Sequence, residues 1–594
     1  MRTLGYILVF LWSFATLAQE DLLAKQYFED GDFEKAVVFY EKLAKKNPRR
    51  TDYVQGLVSC YQQLQRYGEA DAFLSELLQQ PRPHPNLYIE KGYNFTLQDL
   101  PEKANAYYDQ ALQFIEVNPN YGYALGYQFQ KYSILDKAVL AYGKAMELNP
   151  SLDYNYQLAR IYGEQGHVDQ MFRAYLELLA SGKTSISNIL RSIDEFISSD
   201  PADDNNLVFK TVLLEKAQKE PNIIWNELLS WLFIQQEQYN SAFRQEKAIA
   251  KRMEGNSLQR IENLGDMALE SGNKSVAITI FEYITDEADD DITLLNAELK
   301  LLDIALMDAK KSQWEGIQKE YESLVEAYGY NSQALQLQVA YANFLAFRMN
   351  DAAPAAQMLK NSLELPLNNR SMAYIKLALG DILVYDRKFN EALIYFSQIQ
   401  QKLKNDVLGQ NARYKVAQTS FYKGDFDWAL TQLKVLRGST SQLIANDAMQ
   451  LSLLISDNSL EDSTQTALKK YARADFLAYQ NKTEAAITAL EDILQQHKGE
   501  SIEDEALLKQ AQLLESEERF EDARFNYQKI VEFHGNGILA DDAHFALANL
   551  YQNNFEEPEK AKYHFERIVF NYQDSYYFPQ ATKAFRKLRG DAIN

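Results

Sequence analysis

A single cysteine, Cys60, stands in 594 residues, so no disulfide can close within the chain. Histidine is scarce as well. His84, His167, His497, His534, His544 and His564 include no pair four residues apart, the helical spacing at which two imidazoles grip one zinc ion. Cations are outnumbered, 61 against 83 acids, and the net charge of −22 disfavours binding along a nucleic-acid backbone, which relies on clustered lysine and arginine. No Gly-x-Ser-x-Gly elbow is present, and Cys60 lacks the context of a nucleophile. The only long apolar run, from Leu4 to Phe14, is shorter than the ~20 residues that span a bilayer.

That run follows one cation, Arg2, and precedes the small residues Ala15, Thr16 and Ala18, the pattern of a secretory signal cut near Ala18. The mature chain is therefore expected in the periplasm. Cys60 lies too far along to serve as a lipid-anchor thiol, and its apolar helical context, LVSCY, predicts a core residue.

What the chain has is a beat. Ala36, Ala70, Ala104 and Ala138 stand 34 residues apart, and the fourth step falls on Met171 after 33. In the first unit, from Ala24 to Pro48, apolar residues three and four apart predict two amphipathic helices, with Gly31 breaking the first and Pro48 stopping the second. A period of this length in a chain too long for one compact core predicts an all-α stack of helix pairs.

The units resemble the tetratricopeptide repeat. Tyr27, Gly31, Phe33, Ala36, Tyr40 and Leu43 fill its signature in the first, and Leu125, Gly126, Phe129, Ala138, Tyr142, Ala145 and Pro150 in the fourth. Later matches include Gly265, Ala277 and Phe281, then Gly380, Ala392 and Phe396, then Gly424, Ala429 and Leu433, then Ala523 and Tyr527, and finally Ala561 and Phe565. The resemblance implies a right-handed α-solenoid that binds protein or peptide segments. Segments 534–551 and 571–588 are similar to a repeat subtype of periplasmic helpers in outer-membrane assembly and the Tol-Pal system, although Gly535 and Gln573 stand where that subtype has proline. We divide the chain into a signal (1–18), an amino-terminal superhelix (19–183), an irregular helical segment (184–330) and a carboxy-terminal superhelix (331–594).

Chemistry-bearing motifs have plainer readings. Ser181–Ser185 ends like a phosphate loop, but Glu177 replaces the required glycine and a helix precedes it. The acidic run Asp286–Asp291 lacks the alternating ligands of a calcium loop and predicts a solvated connection. Lys583, Arg586, Lys587 and Arg589 suit the negative end of a terminal helix dipole. No cofactor or metal is implied.

In the resembling repeats, the first helix of each pair lines the groove at fixed offsets. Those offsets imply one strip of Asn86, Tyr93, Asn120, Tyr123, Tyr127, Tyr156 and Arg160, and a second of Tyr374, Asp381, Tyr385, Asn411, Tyr414, Gln418 and Tyr422. Tyrosine combines a broad apolar face with a hydroxyl and few rotors to freeze, which suits a peptide groove. The expected function is a non-catalytic periplasmic scaffold or adaptor for envelope proteins. Its rivals are a spacer subunit, with the groove filled, and a regulator of a cell-wall or peptide-directed enzyme, with a polar pocket in the middle segment.

Overall fold

A computed structural model describes residues 20–47, 50–253, 258–439, 441–459 and 464–591; the signal-like segment 1–18 and Pro48 lie outside them. Helices fill the described residues, and no strand occurs among them. None of these helices is long and apolar enough to cross a membrane. The chain forms two compact units, which divide between Asn256 and Ser257.

Each unit stacks antiparallel helix pairs. In the first unit these include Thr51–Gln63 with Tyr67–Leu78, Asn86–Thr96 with Pro101–Val117, Tyr121–Lys131 with Leu135–Leu148, and Asn155–Glu164 with Val168–Ala180. The turn inside each pair has a left-handed residue: Gly31, Gln65, Asp99, Ser133 and Gly166 all have φ between +56° and +78°. The next residue's N–H closes onto a carbonyl of the preceding helix, from Asp32 to Tyr27 at 2.8 Å through His167 to Tyr162 at 2.8 Å. This is the Schellman closure, which satisfies carbonyls that a helix end leaves open. The turns keep the alanine beat, including its last, shorter step.

A second device locks the two helices of a pair together. A Cβ added at Gly92, Gly126, Gly265 or Gly380 would meet the ring of Tyr108, Tyr142, Phe281 or Phe396 at 2.4, 2.5, 2.8 or 2.3 Å. In every case the aromatic follows its glycine by 16 residues, so the ring of the second helix occupies the space that the missing side chain leaves on the first. The buried pairs Ala417 with Leu433 and Ala511 with Tyr527 repeat the spacing with alanine. Cys60 is fully buried in the first core, and burial pushes its thiol up to about 12.

Pairing continues through the irregular stretch with unequal helices. Ile186–Ile193 is short and ends in a 3₁₀ turn, while Ile223–Gln235 packs on Tyr239–Ala250 around fully buried Trp225, whose indole N–H donates to the Glu220 carbonyl at 2.9 Å. In the second unit, Gln259–Glu270 pairs with Lys274–Glu287 and Asn369–Tyr385 with Phe389–Lys402. The left-handed turn residues Asn350, Arg387 and Gly424 are now 37 residues apart. Lys300, Lys415 and Lys509 reach back to Asp266, Asp381 and Asp475 at 2.7, 3.0 and 2.7 Å, tying successive first helices.

Candidate functional site: the tyrosine wall of the first unit

The first strip runs along the first helices of three consecutive pairs. Tyr123 and Tyr127, one turn apart on Tyr121–Lys131, are 49% and 58% exposed, and their rings lie 6.4 Å apart with planes only 12° from parallel. Tyr156 on Asn155–Glu164 is 47% exposed, with Arg160 exposed one turn beyond it. Asn120, also exposed, sits just before Tyr121–Lys131. Tyr154 links the two helices, its ring 6.0 Å from that of Tyr123.

Two members of the strip sit deeper. Tyr93 is half-buried and stacks on Tyr132 at 3.9 Å, so it stiffens the wall more than it offers a contact. Asn86 is half-buried, and its side-chain oxygen has no hydrogen-bond partner among the described residues. An acceptor left open at such a place costs free energy until something donates to it.

Beneath Tyr93 and Tyr132 lies a polar network outside the expected strip. Glu90 is completely buried; Gln128 donates to one carboxyl oxygen at 2.5 Å and the Tyr132 hydroxyl to the other at 2.7 Å. Gln55 donates to the Gln128 side-chain oxygen at 3.0 Å. Three consecutive first helices are thus joined through the Glu90 carboxyl group and the Gln128 amide. Burial pushes Glu90 up to about 7, against the opposing pull of the Tyr132 hydrogen bond, Lys131 and Gln55.

Past Tyr156 the wall opens into a cavity of about 580 Å³. Arg160 and Arg191 line it with Glu164, Asp194, Glu195 and Tyr175, so both signs of charge face the space beside the tyrosines.

The second strip has a different fate. Helix Thr466–Tyr479 and the turn after it lie against Asn369–Tyr385 and Val407–Lys423. The Tyr479 hydroxyl donates to the Asp381 carbonyl at 3.1 Å, Gln480 donates to the Tyr385 carbonyl at 2.6 Å, and Asn481 donates to the Phe347 carbonyl at 3.2 Å. Tyr422 packs on Phe476 and Tyr479, with ring centroids 5.1 and 5.7 Å away. Tyr385 is only 6% exposed and bonds Asn350 through its hydroxyl, while the Asp381 carboxylate is held by Lys415. Asn411, Tyr414 and Gln418 are half-buried; Tyr374 alone keeps an open face, at 41%. The chain's own later helix occupies this surface.

Among the described residues, no group of three or more histidine, cysteine, aspartate or glutamate side chains is arranged to hold a metal ion. His544 and His564 meet in the last pairs, Nδ1 to Nδ1 at 2.9 Å, and burial holds them down at about 4 and about 3, so the pair is neutral at neutral pH. His534 lines a neighbouring cavity of about 690 Å³ with His544 and Arg567. Asp290, in the acidic run, caps helix Asp291–Asp308 by accepting from the Ile292 and Thr293 amides. Gly182 of the lysine-threonine segment sits in a left-handed turn after Val168–Ala180.

Residues 27–88 match a tetratricopeptide repeat family model. No curated protein matches the sequence. Among solved structures the chain is similar to yeast Tom70, at 16% identity over 85% of this chain and 99% of that one, with a TM-score of 0.30. It is also similar to a chain of the Naa15/Naa10 complex bound to HypK, at 14% identity over 97% and 96% with a TM-score of 0.29, and to a chain of the APC/C hetero-tetramer Cut9-Hcn1, at 12% over 96% and 96% with a TM-score of 0.24.

Proposed function

We propose that this chain is a non-catalytic scaffold of the cell envelope that holds an extended segment of a partner protein on the tyrosine wall of its first unit. The observation that carries this reading is the exposure of Tyr123, Tyr127 and Tyr156 on two consecutive first helices, beside a cavity. Large aromatic faces left in water gain most when a partner covers them, and rigid rings lose little entropy in doing so. The signal-like first 18 residues support export to the periplasm. The filled interior of the second unit favours a spacer role for that half, since its tyrosines are already engaged by the chain itself.

The test is a variant with Tyr123→Ala, Tyr127→Ala and Tyr156→Ala together. All three side chains are about half exposed, so the variant is expected to keep its helical circular dichroism while losing tenfold or more of the partner protein that co-purifies with the exported chain. A folded variant that retains the same partner at the same yield overturns the reading.

A further inference from the structure

Below the exposed tyrosines lies a hydroxyl that the fold leaves open. Tyr142 is fully buried, and its ring passes directly beneath Gly126, which stands between Tyr123 and Tyr127 on their helix. Its phenol neighbours Tyr123, Tyr154 and Tyr127, and the Tyr154 ring centroid is 5.3 Å from its own. Among the described residues the Tyr142 hydroxyl has no hydrogen-bond partner. The corresponding tyrosine one repeat earlier, Tyr108, does: its hydroxyl meets Thr96 Oγ1 at 2.8 Å. Gln130 stands where that threonine would be, and the hydroxyl goes unmatched. Burial of a polar atom without a partner is unfavourable and uncommon, and in a recognition surface it marks a place where a ligand atom completes the bonding.

Four tyrosines are thus clustered: the near-parallel, half-exposed rings of Tyr123 and Tyr127, Tyr154 beside Tyr123, and the buried Tyr142 with its open hydroxyl. The electron-rich faces of such rings attract cations, and the planar guanidinium stacks on them better than a compact ammonium does. Its N–H groups are donors, which a phenol oxygen can accept. The chain carries a net charge of −22, and in the adjoining cavity the three carboxylates of Glu164, Asp194 and Glu195 outnumber the two guanidinium groups of Arg160 and Arg191.

Resting on the reading of the wall as a peptide site, we propose that Tyr123 and Tyr127 hold the guanidinium of an arginine side chain in the bound segment, with the Tyr142 oxygen accepting one of its N–H groups. The hydroxyl is closed to solvent in the free chain, so binding requires Tyr123 and Tyr127, both half exposed, to turn about their side-chain bonds and admit the incoming group. Gly126 admits the Tyr142 ring from below, since a Cβ there would meet it at 2.5 Å.

The experiment uses the full mature chain with 3-fluorotyrosine at position 127, followed by ¹⁹F resonance during titration with N-acetyl-arginine amide and with its neutral, equally planar analogue N-acetyl-citrulline amide. We expect a saturable shift with the arginine compound in the millimolar range and binding about tenfold weaker or worse with citrulline. Tyr123→Ala should abolish the shift and Tyr123→Phe should keep it, because the ring and not its hydroxyl faces the cation. Tyr142→Phe should weaken binding about threefold without lowering thermal stability, since it deletes an atom that bonds nothing in the free protein. Equal response to arginine and citrulline, or no saturable shift up to about 50 mM, overturns the proposal. If arginine gives no response while the triple alanine variant still loses its partner, the wall remains the binding site and only the arginine assignment falls.

Discussion

Replacing Gly380 by leucine is expected to break the core of the second unit locally, lowering its stability by about 3 kcal/mol or more. A Cβ at this position would lie 2.3 to 2.9 Å from three ring carbons of Phe396, and both residues are buried without room to retreat. Leucine is the better helix former by nearly 1 kcal/mol, which only partly offsets the overlap. Hydrogen exchange in Asn369–Tyr385 and Phe389–Lys402 reads the effect where it arises, apart from the rest of a chain that need not unfold in one step. Gly143 supplies the control. It also lies within a helix, Leu135–Leu148, but a Cβ there meets nothing within 4 Å, so Gly143→Leu should leave stability unchanged or raise it by about 1 kcal/mol. Comparable losses at the two positions would mean that the glycine–aromatic contact does not set the helix spacing.

The second large effect is a dependence on pH that comes from Glu90. Its folded-state value, pushed up to about 7 by burial, lies above the ordinary carboxylate value of 4.5. Between those two the folded chain holds a proton that the unfolded chain releases. The stabilising contribution is therefore complete below about pH 4.5 and is lost as pH rises through 7, by about 3 kcal/mol in all. Protection of Asn86–Thr96 and Tyr121–Lys131, corrected for intrinsic exchange, should fall between pH 5.5 and pH 8. Glu90→Gln should flatten that dependence, because the amide carries no charge at either pH. A wild-type profile as flat as the variant's would contradict the account of the network.

The features readable from sequence are those whose cause is local. The left-handed turn and the small residue facing an aromatic repeat because each helix pair must close and pack in the same way, so the beat of Ala36, Ala70, Ala104 and Ala138 and the glycines at Gly126 and Gly380 were legible in advance. The exposure of Tyr123, Tyr127 and Tyr156 agrees with the offsets that the repeat resemblance implies. Contacts made across many helices are another matter. Tyr385 and Tyr422 have the same phase as the open tyrosines, yet Phe476, Tyr479 and Gln480 cover them from more than 50 residues away. Nothing in the local pattern around Thr466–Tyr479 signals that packing. The Glu90 network has no local pattern for a related reason: Gln55, Glu90 and Gln128 stand one per helix, so no spacing along a single helix joins them. The unmatched Tyr142 hydroxyl differs from that of Tyr108 in one residue of the facing helix, Gln130 in place of Thr96.

The two tyrosine surfaces make opposite predictions for a single measurement in cells. A photocrosslinking amino acid placed at Tyr127 should capture a partner protein, whereas the same group at Tyr422 should yield only a crosslink within the chain, to the helix Thr466–Tyr479 that covers it. Capture of a partner from position 422 with none from position 127 would contradict the assignment of binding to the first unit.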